Sequence, residues 1–386
     1  MEININDFLR KVFKDRLVSG MSPSLVICGR QQEEYDKFFQ FNKFMQPEAQ
    51  ALEAAGLHKI LSKIFPFDLN FRKVQIVYEG YEIEAITRDI SICMKQHHTF
   101  GKRAYLRLKL EGQIDIGLMQ VFNDTRYYIE WSDKQFEVVP ILTEAETFRI
   151  RSGTRLNPPV ERCPIFNIGI KDDKASDIYN ITNLKIYFLS DYLEKEIRER
   201  LNYLKFRYAN AKKGINPIHV ARDVARTISI CIYQCLTDPH ACPPASDTNV
   251  LSRFSQQREV AHSGPFGLKG NRADINRRHV HHTHYGRLCP LETPESETIG
   301  LKLHLAKGVL LKSDGTLISR YNEWDSMTAE NESRKYFGSY FDKARDGEVL
   351  ARTDDIIWNK RAEEIQYWDR IPGQFMGHGA SVIPFI

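Results

Sequence analysis

The segment RRHVHHTHYGRLCPLETPES (residues 277–296) decides how this sequence is interpreted. It places four histidines within six residues, and a cysteine follows five positions after the last of them. In an extended strand His279 and His281 would share one face and His282 and His284 the other, because side chains alternate along a strand. The two pairs could meet at one zinc ion only if the backbone turned between them. These residues alone leave open a zinc site, an acid–base centre or a surface that holds nucleic acid.

The residues around this segment are basic and contain glycine. Residues 253–287 hold only two acids, Glu259 and Asp274, and glycines 264, 267 and 270 allow the backbone to bend close to a partner. The basic residues are Arg253, Arg258, Lys269, Arg272, Arg277, Arg278 and Arg287. Such a stretch suits contact with phosphates, since neutralising each phosphate releases counterions. An ordinary solvated basic loop has the same composition, so composition does not separate the two.

Composition and length limit the classes of protein that the chain can be. The chain has 386 residues, of which 42% are hydrophobic and 27% are charged, which is typical of a globular protein with two or three domains. A net charge of +4 allows a polyanionic partner without requiring one. No apolar run approaches the roughly 20 residues of a membrane span. Seven cysteines without regular spacing favour reduced thiols over a disulfide framework.

A second candidate metal cluster is formed by Cys231, Cys235, His240 and Cys242. On a helix Cys231 and Cys235 are neighbours four residues apart, a spacing more typical of a buried apolar stripe than of a zinc site. The motifs GxSxG, HExxH, GxGxxG and the phosphate-binding P-loop do not occur. Glu292 and Glu295 have no evident partner in the sequence, which favours a structural role for both.

Hydrophobic periodicity predicts the order of helices and strands. Helices are expected first, then strands, then irregular backbone where three prolines and a glycine occur, then two further helices with Pro217 opening the second. A linker should follow at residues 237–247. The expected helices are 35–44, 52–65, 190–208 and one from 217, the expected strands are 74–86, 103–112 and 136–150, and the irregular stretch is 151–166.

Residues 264–301, GPFGLKGNRADINRRHVHHTHYGRLCPLETPESETIGL, closely resemble the β subunit of multisubunit DNA-dependent RNA polymerases. That family reads GPGGL, then an arginine-bearing loop, then VHPTHYGRxCPxETPEGxNIGL, and the spacing matches without a gap. The sequence GHGASVIPF at residues 377–385 is similar to the family's VGASLIPF. Two positions depart from the pattern, because Gly270 stands where the family has Arg and Ser296 where it has Gly.

The resemblance implies a mixed α/β multidomain fold with the β-subunit protrusion and fork, and with a lobe domain that is reduced or absent. The implied regions are N-terminal helices and protrusion-like strands at 1–165, a vestigial lobe or connector at 166–189, a helical return to the protrusion at 190–242, and a fork-like region at 243–386. Since the family continues beyond the motif near residue 385, the chain is expected to be the N-terminal fragment of a split β subunit. Giant bacteriophages, by analogy, have such split polymerases.

The implied function is that of a non-catalytic portion of a DNA-directed RNA polymerase, a nucleotidyltransferase, which positions template DNA, RNA and nucleotide and is inactive alone. The implied Mg²⁺ ions belong to a partner chain, and neither catalytic nor metal-binding residues are expected in this one. The implied partners are a C-terminal β fragment, β′ fragments, a possible promoter-specificity subunit, template DNA and nascent RNA, with no membrane, in the host bacterial cytoplasm or a virion. Residues expected near nucleic acid or the active centre are Arg258, Lys269, Arg272, Arg277, Arg278, His284, Arg287 and Glu295.

Two alternatives remain open from the sequence. The first is a metal-dependent nucleic-acid-binding module without polymerase partners, and the second is a structural β-like paralogue without activity. The resemblance also implies weak rifamycin binding. The family's drug-contacting stretch LSxxTHKRRxSAL corresponds here to LSRFSQQREVAHS at residues 251–263, where several polar and apolar contact residues are replaced.

Overall fold

The chain folds as two units, each assembled from segments that are separated in sequence. The helical unit comprises Gly29–Pro164 and Phe188–Ala245, and the histidine-loop unit includes Ile165–Tyr187 and Ser246–Ile386. The structure is a computed structural model that describes residues 30–39, 56–69, 74–85, 101–112, 126–128, 139–140, 147–151, 159–171, 177–211, 217–246, 248–268, 275–323, 348–353, 356–361, 364–371 and 373–383.

Four helices form the core of the helical unit. They are α1 Arg30–Phe39, α2 Gly56–Ile64, α3 Leu189–Ala209 and α4 Pro217–Thr237. In α3, Leu193, Ile197, Leu201 and Leu204 recur at intervals of three and four residues and are buried as one stripe. The helix begins where the carboxylate of Asp191 accepts the backbone N–H of Phe188 at 2.8 Å. The predicted helices at 190–208 and from 217 are confirmed. Those predicted at 35–44 and 52–65 are confirmed at 35–39 and 56–64, whereas Phe65 lies just after the helix, and residues 40–44 and 52–55 lie outside the described residues.

The strands of the helical unit form a five-stranded sheet and a separate hairpin. In the sheet, β1 Phe67–Leu69, β2 Val74–Ala85, β3 Gly101–Gly112 and β4 Arg126–Tyr128 are neighbours in that order, and β5 Val139–Pro140 pairs with β3. The hairpin joins β6 Phe148–Arg151 to β7 Pro159–Arg162. The prediction of irregular backbone through 151–166 is therefore wrong at β7. Pro159 is tolerated as the first residue of an edge strand, where its missing N–H breaks no ladder.

In its described residues, the histidine-loop unit contains one α-helix, short 3₁₀ helices and small sheets. The helix is α5 Val250–Gln257, and a four-stranded sheet has the order β11-β10-β8-β9. These strands are β8 Phe166–Ile170, β9 Leu184–Tyr187, β10 Glu259–Ala261 and β11 Lys302–His304. Three hairpin-like pairs complete the unit: β12 Val309–Leu311 with β13 Leu317–Ser319, β14 Tyr321–Glu323 with β17 Tyr367–Asp369, and β15 Glu348–Thr353 with β16 Ile356–Arg361.

The helices and mixed sheets agree with an α/β fold class. The units divide the chain at 164/165, 187/188 and 245/246, and the assignment of protrusion-like, connector and fork-like regions stays a prediction. Residues 166–189, expected as a vestigial lobe or connector, contribute β8 and β9 to a sheet with β10 and β11. In the described part of the chain, no helix has the length and apolar character needed to cross a membrane.

Candidate nucleic-acid interface

Helix α5 leads directly to Arg258, one of the arginines expected to face nucleic acid. The side chain of Asn249 caps the helix by accepting the N–H of Ser252 at 2.7 Å. Arg258 follows the last turn and is only 1% exposed. Its Nη2 donates to the carbonyl of Ala306 at 3.0 Å, and its guanidinium lies 5.9 Å from the ring centroid of Phe254. An arginine enclosed in this way braces the unit internally and offers no surface to a polyanion.

Residues 262–268 form a tight turn after β10. The N–H of Leu268 donates to the carbonyl of His262 at 2.8 Å, and a Cβ at Gly267 would come within 2.0 Å of that carbonyl oxygen. Phe266 stacks on Tyr187 of β9 with the ring centroids 4.0 Å apart. Packing therefore fixes the backbone up to Leu268. The predicted contact residues Lys269 and Arg272 lie outside the described residues.

The histidine loop, residues 275–287, is not an extended strand. It contains two short 3₁₀ helices, Ile275–Arg278 and His282–His284. His284 is 5% exposed, its Nδ1 accepts the backbone N–H of His281 at 3.0 Å, and burial lowers its pKa to about 4. His284 is therefore a neutral, buried ring at neutral pH. It stabilises the loop from within, and its predicted place near nucleic acid or the active centre stays a prediction.

His281 connects the histidine loop to the turn before β9. Its Nδ1 lies 2.8 Å from the Thr283 hydroxyl, and its Nε2 lies 3.7 Å from a carboxylate oxygen of Asp177. The Thr283 hydroxyl oxygen also accepts the backbone N–H of Ile181 at 2.9 Å. These contacts tie two segments that are about a hundred residues apart in sequence.

Arg278 and Arg287 bind backbone carbonyls inside the unit. Arg278 Nη1 donates to the carbonyls of Glu297 and Ile299, both at 2.8 Å. Arg287 donates from Nε to Leu317 and from Nη1 to Thr283, both at 3.1 Å, and its partial burial lowers its pKa from the ordinary value. Both arginines link separate backbone segments, because two N–H donors of each planar guanidinium bond to carbonyls within the unit.

The outward side of the loop carries a different set of residues. Arg277 and His282 are half-buried, and His279 is exposed. Among the described residues, no hydrogen bond or ion pair is found for the side chain of Arg277, and its charge helps to lower the pKa of the buried His262. Glu295 is exposed on the following turn. Arg277 is thus the predicted contact residue best placed to meet a phosphate.

Glu292 joins the two motifs that carry the polymerase resemblance. Its Oε1 accepts the backbone N–H of Ala380 at 2.5 Å. A Cβ at Gly377 or Gly379 would lie 1.9 Å or 2.3 Å from the same carboxylate, so glycine at both positions lets the backbone approach. The structural role expected for Glu292 has this physical basis. The sequence did not reveal the partner, and its only signal was the pair of glycines in GHGA.

The described residues contain no group of three or more His, Cys, Asp or Glu that could hold a metal ion. Cys231, Cys235 and Cys242 lie in the core of the helical unit, and burial raises the pKa of each thiol, that of Cys231 to about 12. The interpretation of Cys231 and Cys235 as a buried apolar stripe is confirmed by this packing.

Comparison with known proteins finds sequence similarity to RNA polymerase β subunits. Residues 245–309 match the family model "RNA polymerase Rpb2, domain 3", a span that contains α5 and the whole histidine loop. The chain is also similar to proteins named "DNA-directed RNA polymerase subunit beta". That of Salinibacter ruber is 28% identical over 244 residues, which cover 56% of this chain and 18% of the relative. Those of Clostridium kluyveri and Chara vulgaris are 27% and 26% identical, covering 55% and 54% of this chain.

Residues 245–309 are thus similar to Rpb2 domain 3, and about half of the chain shows partial homology to RNA polymerase β subunits. The aligned regions are 18%, 19% and 22% of the three relatives, so the chain spans about a fifth of their length.

Proposed function

We propose that this chain is a non-catalytic β-subunit portion of a multisubunit DNA-dependent RNA polymerase, in which it positions template DNA and RNA. The observation that carries the proposal is the family match at residues 245–309, because it encloses the histidine loop and its half-buried Arg277. The polymerase resemblance and an arginine without an internal bond among the described residues therefore fall on one element.

In this proposal the histidine loop contacts the phosphate backbone through Arg277, and the other arginines hold the loop in shape. Phosphate contacts position a protein on nucleic acid without reading sequence. Mg²⁺ and the carboxylates that hold it belong to a partner chain, as do the groups that grip the substrate phosphates. The partners in the proposal are further β and β′ segments, and the chain alone is inactive.

The finer parts of the interpretation stay predictions. They are the split β subunit, the relation to giant bacteriophages, a promoter-specificity subunit, and a place in the host cytoplasm or virion. Lys269, Arg272 and Glu295 stay predicted contacts near nucleic acid or the active centre.

The proposal is tested by purifying the complete tagged chain from its source under native conditions and identifying the co-purifying chains by mass. The purified complex is then assayed for RNA synthesis on a template–RNA scaffold, next to the chain alone. We expect large polymerase subunits in the complex and synthesis only by the complex. Purification without any polymerase subunit, or a complex that neither binds nor extends the scaffold, would contradict the proposal.

The same preparation separates the two alternatives. A metal-dependent nucleic-acid-binding module should contain stoichiometric zinc and lose scaffold binding when a chelator removes it. A structural paralogue should join the complex, and Arg277→Ala should leave the scaffold affinity of that complex unchanged.

A further inference from the structure

The turn at residues 177–183, called the clamp turn below, is held in shape by its own side chains. Asp177 Oδ1 accepts the N–H of Tyr179 at 2.9 Å, and Asn180 Oδ1 accepts the N–H of Thr182 at 2.9 Å. Asn183 donates from its side chain to the carbonyl of Asp177 at 2.9 Å. These bonds close the turn on itself, so it has a defined shape before any contact with the histidine loop.

The clamp turn and the strand that follows it are also fixed to the β12–β13 hairpin. The backbone N–H of Ile186 donates to the carbonyl of Gly315 at 2.7 Å. A Cβ at Gly315 would come within 2.3 Å of the Ile186 carbonyl, and its φ of +82° is one that glycine adopts freely. Lys171, just after β8, pairs with Asp314 at 3.1 Å. The β8–β9 segment is therefore anchored at the base of the turn.

The tip of the clamp turn reaches the histidine loop through three polar groups. His281 Nδ1 accepts the backbone N–H of Thr283 at 3.4 Å, so it is the acceptor of the ring, and the Thr283 hydroxyl, which accepts from Ile181, donates its proton to it. The ring then carries its proton on Nε2, which faces Asp177 Oδ2 at 3.7 Å. This arrangement selects one tautomer and one orientation of His281, and the adjacent His282 ring packs 4.1 Å from it.

We infer that the clamp turn fixes the orientation of the histidine loop, with Asp177 and Thr283 as positioning residues that set how Arg277 and His282 meet nucleic acid. The inference rests on the proposed function, because the loop is taken to contact nucleic acid. The short segment between β8 and β9 thus has a role in the proposed function, which is to hold the histidine loop in the orientation that contacts nucleic acid.

Thr283→Val tests the inference in the complete chain within its native complex. Valine keeps the shape of threonine but removes the acceptor for Ile181 and the donor for His281. Amide exchange at Ile181 should rise roughly five- to tenfold, and scaffold affinity should fall roughly three- to tenfold, the effect of about one net hydrogen bond. Thr283→Ser should restore both quantities to within about twofold, since it returns the hydroxyl.

Two further variants separate the clamp from the turn itself. Thr182→Val is the matched control, because Thr182 is exposed and its hydroxyl bonds only to Asn180 within the turn. It should leave scaffold affinity unchanged. Asp177→Asn keeps an acceptor for Tyr179 while removing the charge that faces His281, and it should lower affinity in the same direction as Thr283→Val. It also tests the clamp if the valine variant fails to assemble.

The outcomes distinguish the clamp from the proposed function. Unchanged exchange at Ile181 in Thr283→Val would overturn the clamp. Raised exchange with unchanged scaffold affinity would overturn the positioning role and leave the proposed function intact. A wild-type complex without scaffold affinity would overturn the proposed function and the positioning role together. Loss of affinity in Thr283→Val and Asp177→Asn, with rescue by Thr283→Ser, supports the inference.

Discussion

The arginines of the polymerase-like segment differ in what their guanidinium groups touch. Arg258 is enclosed and bonded to Ala306, whereas Arg278 and Arg287 each bridge two carbonyls. Arg277 has no such partner among the described residues. Sequence position assigned all four to nucleic acid, but contact with a polyanion requires exposure as well as charge. Burial therefore distinguishes Arg258, whereas internal hydrogen bonds distinguish Arg278 and Arg287 from Arg277.

Arg258→Ala should destabilise the histidine-loop unit without a specific effect on nucleic-acid binding. The variant removes a buried side chain and one of the two donors to the Ala306 carbonyl, which keeps the Val309 N–H at 3.3 Å, and the loss costs about 2–4 kcal/mol. Denaturant unfolding, monitored by amide hydrogen exchange in α5, measures this loss of unfolding free energy. In the remaining folded complex, the salt dependence of scaffold binding should match the wild type, and a reduced slope would show that Arg258 contacts phosphate.

Arg277→Ala should lower scaffold affinity and leave folding stability nearly unchanged, the opposite of Arg258→Ala. The side chain has no internal bond to lose within the described residues, so the change in stability should stay below about 0.5 kcal/mol. Scaffold affinity should fall, and the slope of log affinity against log salt should decrease in magnitude by about 0.7–0.9, the value for one lost phosphate contact. An unchanged slope would place Arg277 outside the interface.

Acidification should loosen the histidine-loop unit. Burial lowers the pKa of His284 to about 4 and that of His262 to about 3, below the ordinary value of 6.5. The folded state therefore favours neutral rings, and this stabilisation is complete above pH 6.5 and is lost as the pH falls towards 4 and 3. Burial raises the pKa of Asp369 to about 6, so the folded state favours the protonated carboxyl. The stabilisation that results is complete below about pH 4 and is lost as the pH rises through 6. It partly offsets the histidines during acidification.

Protonation of His284 should lower the free energy of unfolding by about 2–3 kcal/mol between pH 7 and pH 4. His284→Asn offers an uncharged acceptor to the His281 N–H and should lack this part of the acid sensitivity. His279→Asn, at an exposed position, is the matched control and should behave as the wild type. The measurement is denaturant unfolding at pH 7, 5.5 and 4, read from exchange in the histidine loop. Equal acid sensitivity in wild type and His284→Asn would refute the assignment.

At the scale of elements, hydrophobic periodicity predicted the helices and strands whose apolar pattern lies within one stretch of sequence. The apolar spacing of α3 reflects one buried face, and the alternation in the sequence predicted the strands β2 and β3, which pair with each other. The strands β7, β8 and β9 were missed because short strands are defined by partners far away in the chain. The contact between Glu292 and Gly377–Ala380 was missed for the same reason, since 88 residues separate the bonded pair.

Helix α4 gives a further test of element packing. Cys231 and Cys235 lie one turn apart in the core, and burial raises the pKa of both thiols. Because the thiolate is the reactive form, alkylation of the native chain at these positions should be at least about a hundredfold slower than after denaturation. Mass spectrometry of peptides after timed iodoacetamide treatment measures the rates. Rapid native labelling would show that α4 opens or that its packing differs.

At the scale of the whole molecule, both units are discontinuous in sequence. The chain leaves the helical unit at residue 164, adds β8 and β9 to the histidine-loop unit, and returns for α3 and α4. The β8–β9 segment therefore belongs to the same unit as the Rpb2 domain 3 match, although it precedes that match by more than fifty residues. Long-range pairing of this kind explains why a segment that resembles a connector in sequence forms part of the folded unit.

The assembled polymerase should resist rifamycins. By resemblance, residues 251–263 correspond to the drug-contacting stretch, with Gln256 for His, Glu259 for Arg and Ala261 for Ser. The Gln256 side chain already accepts the Ser246 N–H at 2.7 Å, and Glu259 pairs with Lys302 at 2.9 Å. Each drug group left unpaired in a closed pocket costs about 1–3 kcal/mol, so two or three losses weaken binding on the order of a thousandfold.

Rifampicin titration of scaffold-independent initiation measures this resistance, with a sensitive bacterial polymerase in parallel. The double variant Gln256→His/Ala261→Ser should regain roughly tenfold sensitivity or more. Inhibition of the wild-type enzyme at the concentration that stops the sensitive polymerase would refute the alignment across α5 and β10.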